Sequence, residues 1–131
     1  ALPIYQGAVL RALLIDINTE ITTTSNSVSP TLQQAIDALL NQTESLLRAG
    51  NGVMSQNACD FLDAVAYVLY GYMWYRNIQA LDTHKHSADF IQAKQHTAMW
   101  YCNKVLPRLQ GLLATIDADG SALFALDSTQ F

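Results

Sequence analysis

Charge is what this sequence has least of. Aspartate, glutamate, lysine and arginine make up 14% of 131 residues, against roughly 25% in an average soluble domain. Part of the surface is therefore less polar than usual and is expected to meet a partner. Acids outnumber bases by 11 to 7, and Lys94, Lys104 and Arg108 are too dispersed to track a phosphate backbone, which argues against nucleic acid. Cysteine is scarce too: Cys59 and Cys102 form no CxxC or Cys/His cluster and read as reduced core residues. If the turn near Lys85 joins two antiparallel helices, the two thiols are offset by roughly 13 Å, beyond disulfide reach. The longest uncharged apolar stretch near the middle, Ala64 to Tyr75, has 12 residues, short of the ~20 that cross a bilayer, so no membrane span is expected. No leader pattern opens the chain at Ala1-Leu2-Pro3, and a cytoplasmic piece of something longer is expected.

What is present is helical periodicity. A first helix is expected over about Tyr5 to Thr22, with Val9, Ala12, Leu13, Ile17 and Ile21 marking its turns. The run Thr22 to Ser27 is a linker by composition. Ser29-Pro30 reads as an N-cap followed by a tolerated proline, and Gly50-Asn51-Gly52 stops the second helix, whose apolar stripe is Leu32, Ala35, Ile36, Leu39, Leu40, Leu46 and Leu47. A third helix spans about Ser55 to Leu81, with Leu62, Val65, Leu69 and Met73 as core. After a polar turn over Asp82 to His86, the fourth runs from Ser87 to about Ala118, kinked at Pro107, along Ile91, Ala98, Cys102, Val105, Leu109, Leu112 and Ile116. The tail Ala122 to Leu126 supplies one further turn that caps the bundle. With no strand-like alternation and short connections, the expected fold is all-α: one domain over 1–131, an up-down bundle of four helices with a short C-terminal capping helix.

Chemistry is sparse along these helices. A di-iron bundle needs Glu followed three positions later by His, yet Glu20 and Glu44 are followed there by Thr23 and Leu47. His84 and His86, near Asp82 and Asp89, read as a solvated turn. His96 with Met73 or Met99 would be a haem reading, but no CxxCH accompanies it. Asp117-Ala-Asp119-Gly120 has its glycine too early for a calcium loop and reads as a helix end. No nucleophile elbow and no phosphate-cradling glycine loop occur. No catalytic, cofactor-binding or metal residue is assigned.

One pattern stands out on the third helix. Asp60, Asp63, Tyr67, Tyr70, Trp74 and Asn77 recur at steps of three or four and share one face. Rings with polar tips suit a protein interface; the same stripe also reads as core whose hydroxyls find backbone partners. As an interface, Tyr67, Tyr70 and Trp74 would pair two copies of the chain through a two-fold contact. Gly71 on the same helix, unfavourable in a helix interior, points to a close helix approach. A reading of a different class is a free-standing bundle binding a small apolar ligand among Tyr67, Met73, Trp74 and Trp100.

Two stretches carry a family resemblance. Gly71-Tyr72-Met73-Trp74-Tyr75-Arg76 resembles a helix in the C-terminal domain of one branch of bacterial acyl-CoA dehydrogenases. Phe90-Ile91-Gln92-Ala93-Lys94, Leu106-Pro107 and the ending Ala125 to Phe131 are similar to that domain's last helix and tail. The likeness is to the acetyl-CoA dehydrogenase C-terminal-like domain found in enzymes resembling 3-methylmercaptopropionyl-CoA dehydrogenase, and it covers about Ser55 to Phe131. It implies a parent oxidoreductase of fatty acid metabolism that binds FAD, removes a proton and a hydride from the α and β carbons of an acyl-CoA and passes electrons to a flavoprotein. The family's catalytic glutamate belongs upstream of this domain, and neither Glu20 nor Glu44 lies in a matching motif. The implied partner is the dehydrogenase core of the same chain or of a neighbouring subunit.

Overall fold

The structure, a computed structural model, describes residues 2–130, with side chains from Gly7 onward. Ala1, Phe131 and the side chain of Tyr5 lie outside the described residues. Those residues are mostly helical and contain no strand, as the periodicity requires: α1 Leu2–Thr23, α2 Ser29–Ala49, α3 Asn51–Gln56, α4 Ala58–Gln79, α5 Ala88–Trp100, a π-helical segment Tyr101–Val105, α6 Arg108–Asp117, α7 Ser121–Phe124 and a terminal 3-10 turn Ser128–Gln130. The third and fourth expected helices are thus each divided. Asn57 separates α3 from α4, and the π segment separates α5 from α6.

The division of the fourth helix has a local cause. Pro107 offers no N–H and crowds the carbonyl four residues earlier, and the chain answers by widening the preceding turn: Leu106 N–H donates to the Tyr101 carbonyl, five residues back, at 2.9 Å. The extra residue per turn shifts the inward face, so Tyr101 and Leu106 are buried alongside the expected Cys102 and Leu109.

Neighbouring arms run in opposite directions where side chains join them. On α1 and α2, Arg11 meets Glu44 at 3.3 Å and Asn18 meets Asp37 at 3.4 Å. On α4 and the α5 arm, Trp74 lies under Lys94 and the Tyr67 carbonyl accepts from the Tyr101 hydroxyl. The core is shared by Leu14, Ile17 and Ile21 of α1, Leu32, Ile36 and Leu39 of α2, Ala64, Val68 and Tyr75 of α4, and Ala98, Cys102, Leu106 and Leu109 beyond.

Several expectations are corrected by this packing. On α1 Ile17 and Ile21 are buried as expected, but in the first half of the helix Leu14 takes the inward position, and Val9, Ala12 and Leu13 are exposed. On α4, Leu62 and Met73 are exposed and Ala64, Val68, Gly71 and Tyr75 fill the inward face. Cys59 is exposed, one residue into α4, while Cys102 is buried; both are free thiols. The run Thr22 to Ser27 is no linker: α1 continues to Thr23, and Asn26 organises the turn by accepting the Val28 N–H at 2.9 Å. Val28, not Ser29, holds the N-cap position of α2, and the Ser29 hydroxyl turns back to accept the Asn26 N–H at 3.0 Å. Gly50 ends α2 with φ of 94°, a left-handed conformation costly for other residues, and α3 follows at once. The tail forms α7 but does not cap the bundle, since Leu123, Phe124 and Leu126 all stay exposed. A four-residue helix is too short to turn an apolar face onto the bundle, and it lies alongside α3, with Gly120 close to Gln56.

Gly71 sits where α4 passes closest to its neighbours. A Cβ there would lie 2.9 Å from Leu32 Cδ1, 3.7 Å from Tyr101 Cε1 and 3.8 Å from Leu106 Cδ2. Gly71→Leu should therefore overpack the core and cost about 1–3 kcal/mol. Gly71→Ala should be close to neutral, because a shift of one Leu32 methyl offsets the ~1 kcal/mol of helix propensity regained. Denaturant unfolding of both variants measures the contrast, and a stabilised Gly71→Leu protein would show the site to be open.

Candidate functional site

The aromatic stripe of α4 is divided by the arm beside it. Tyr67 and Trp74 are half-buried and pack against the core, while Tyr70 is 63% exposed, with Asp63 and Asn77 exposed on the same side and Asp60 half-buried. Lys94 of α5 places its ammonium 5.9 Å from the Trp74 ring centre and 5.4 Å from that of Phe90, a cation–π arrangement that covers part of the stripe. The Tyr101 hydroxyl, at the start of the widened turn, donates to the Tyr67 carbonyl of α4 at 2.6 Å. Burial pushes the Tyr101 phenol well above its ordinary range.

A second cluster joins α1 and α4, and sequence reading missed it. Tyr75 is 1% exposed, and its hydroxyl donates to the Thr24 carbonyl at 2.5 Å, with the Glu20 carbonyl at 3.3 Å. Arg76 Nε donates to the Tyr72 hydroxyl at 2.8 Å and lies 3.6 Å from Glu20 Oε1. Burial raises the Tyr72 and Tyr75 phenols, and the Glu20 carboxylate adds to both shifts. The signal available in the sequence was weak, because Glu20 and Arg76 lie far apart along the chain. Glu20 is paired with a cation and Glu44 with Arg11.

The histidines occupy ordinary positions. His86 Nδ1 accepts the Asp82 N–H at 3.1 Å, Asp82 Oδ1 accepts the His84 N–H at 2.8 Å, and His86 stacks on Phe90. His96 is exposed. Asp119 accepts the Ser121 N–H at 2.9 Å, which lowers its pKa and starts α7. Among the described residues no three His, Cys, Asp or Glu side chains converge as metal ligands.

The pocket imagined among Tyr67, Met73, Trp74 and Trp100 does not form. Met73 is exposed, and Trp100 lies with His96, Met99 and Asn103 in a shallow depression beside Ser27. An apolar cleft of about 420 Å³ opens elsewhere, between α1, α2 and the start of α4, lined chiefly by Leu10, Leu46, Leu47, Phe61 and Val65. Its one hydroxyl, Thr43, donates to the Leu39 carbonyl at 2.8 Å. A flavin dinucleotide needs cationic side chains or helix-terminal N–H groups for its pyrophosphate, and this donor set does not fit it.

A family model described as acetyl-CoA dehydrogenase C-terminal like matches residues 14–127. Comparison with curated proteins and with solved structures found no match.

The buried phenols set a pH dependence. Tyr101 holds its proton in the folded chain well past the ordinary value of 10.0, so the unfolded chain deprotonates first and the stabilisation, complete below that value, is lost as pH rises above it. Thermal unfolding followed between about pH 8 and 11 should show a falling midpoint above pH 10. Tyr101→Phe should be less stable at neutral pH, by roughly 0.5–1.5 kcal/mol for the lost hydrogen bond, yet decline less steeply in alkali. Equal slopes for both proteins would remove Tyr101 as the cause.

Proposed function

The chain belongs to the acetyl-CoA dehydrogenase C-terminal-like family, and we propose that it is the non-catalytic C-terminal domain of an FAD-dependent acyl-CoA dehydrogenase. In this reading residues 1–131 form one helical unit, its four arms alternating up and down, cut from a longer bacterial, cytoplasmic enzyme. The parent performs the α,β-dehydrogenation of an acyl-CoA with a flavin and a glutamate held outside this domain. The domain's task is to pack on the dehydrogenase core of the same chain or of a neighbouring subunit, with Tyr67, Tyr70 and Trp74 at or near the contact.

The observation that carries the reading is the conjunction of family membership with an apolar, charge-poor exterior. Tyr70, Phe90 and Trp100 are 63%, 44% and 58% exposed, whereas the carboxylates of both glutamates are engaged by arginines. Large exposed side chains beside a cation-covered ring suit a surface that is buried in an assembly.

The purified chain, mixed with FAD, an acyl-CoA and a redox dye, should reduce no dye. It should bind the dehydrogenase region of an enzyme of this class expressed without its own C-terminal domain, and raise that region's melting temperature. Flavin-dependent dye reduction by the chain alone would overturn the non-catalytic assignment. Absence of binding in calorimetry would overturn the docking role.

A further inference from the structure

The side of α4 turned away from the core carries a pattern of its own. Cys59, Leu62, Ala66, Leu69 and Met73 follow one another at steps of three, four, three and four residues, the a/d spacing of a helix–helix seam. Among the described residues it is only partly covered: Leu62 and Met73 are 69% and 56% exposed and Cys59 is exposed, while Ala66 is half-buried and Leu69 packs in part against the core. Asp63 and Tyr70 flank the seam at equivalent positions, seven residues apart, both exposed. Asp63 is the sole charged residue from Phe61 to Tyr75, and Arg76 ends the seam.

We propose that this seam pairs with the same seam of a second copy, the two α4 helices crossing antiparallel about a two-fold axis. Register supports a second copy as the occupant. Antiparallel pairing of a against d positions sets Leu62 opposite Met73 of the second copy and Ala66 opposite Leu69, so the small side chain receives a large one and every apolar seam residue except terminal Cys59 is matched. In that register Tyr70 comes beside Asp63 of the second copy, a hydroxyl donor next to a carboxylate acceptor, and symmetry forms the pair twice. Sliding by one heptad instead buries Ala66 against Arg76, whose guanidinium is already engaged by Tyr72 and Glu20.

Charge and area agree with this choice. The chain carries a net charge of -4, yet the seam itself is uncharged, so two like-charged copies can meet there without facing carboxylates. Leu62, Tyr70 and Met73, with Ala66 and Leu69 between them, give each copy several hundred Å² to bury, near the lower bound of about 600 Å² per partner for specific interfaces. The pairing goes beyond the docking role, and Tyr70, at the edge of the seam, is the one residue common to both.

Sedimentation equilibrium on the chain tests the proposal. The chain should be a dimer at micromolar concentration. Leu62→Asp and Met73→Asp should each weaken association at least about 30-fold, with helicity by circular dichroism unchanged. Tyr70→Phe should weaken it about fivefold, while Val53→Asp, at an exposed position on α3, should leave it intact. A chain that stays monomeric at about 100 µM, or a dimer indifferent to both aspartate substitutions, would overturn the pairing. A monomer whose seam variants lose binding to a dehydrogenase region would also overturn it, and would assign the seam to that partner.

Discussion

The rest of the domain depends on the point where α4 meets the turn between α1 and α2. A helix ends with as many as four carbonyls lacking intrahelical donors, and at the end of α1 one of these is met by a phenol from another element. Tyr75 donates to Thr24 at 2.5 Å from a ring that is itself buried. The turn returns the contact, because Asn26 Nδ2 donates to the Tyr75 carbonyl at 3.1 Å and to Gln79 Oε1 at 2.9 Å. The Tyr75 hydroxyl, the Tyr75 carbonyl and Asn26 Nδ2 each find a partner about fifty residues away in sequence, so the register between α1 and α4 is fixed by hydrogen bonds, not by apolar contact alone. A buried phenol without such a partner would carry the full desolvation cost of about 1–3 kcal/mol.

Once that register is set, Gly71 one turn earlier must face α2, and the close approach to Leu32 follows. A Cβ on the same glycine would also meet Tyr101 and Leu106. A regular α-helix would not direct both of these residues inward to the same neighbour. The π-helical turn enforced upstream of Pro107 does so, and it also brings the Tyr101 hydroxyl to the Tyr67 carbonyl. One proline on one arm and one glycine on another are therefore complementary parts of a single contact, joined through a tyrosine that neither could position alone.

How much of this was legible in the sequence depends on the range of the cause. The all-helical class, the stripe of α2 from Leu32 to Leu39, the start of the fourth helix at Ser87, whose hydroxyl accepts the Phe90 N–H at 3.1 Å, and the need for space at Gly71 follow from local periodicity and stereochemistry. Pro107 announced a disturbance but not its form, since a kink and a π-turn answer the same missing donor. Thr22 to Ser27 looked like a linker because polar composition reports solvent affinity; the bonds that organise Asn26 come from α4, about fifty positions away. The inward faces of α4 and of the first half of α1 differ from the expected stripes for a shared reason. Both helices are apolar around much of their circumference, so periodicity offered several stripes and only the neighbours decide among them. The interface expected at Tyr67, Tyr70 and Trp74 lies on such a stripe, and the structure leaves Tyr70 exposed while Lys94 and the core take parts of Trp74 and Tyr67.

That ambiguity carries functional information. A helix whose apolar side chains spread around its axis is ordinarily enclosed on all sides. Here α4 gives Ala64, Val68 and Tyr75 to the core, Trp74 to the α5 arm and Phe61 to the cleft beside α1, which leaves the Leu62 to Met73 side. Leaving that side in water forgoes burial worth about 1.5–3 kcal/mol for each large side chain, a substantial fraction of the 5–15 kcal/mol by which domains are stable. Lysine or glutamate would suit a solvated helix face there at least as well. The low charge content and the all-round apolarity of α4 are thus one fact seen twice. The domain's own described elements enclose the Ala64, Val68 and Tyr75 side of α4 and leave Leu62, Tyr70 and Met73 exposed.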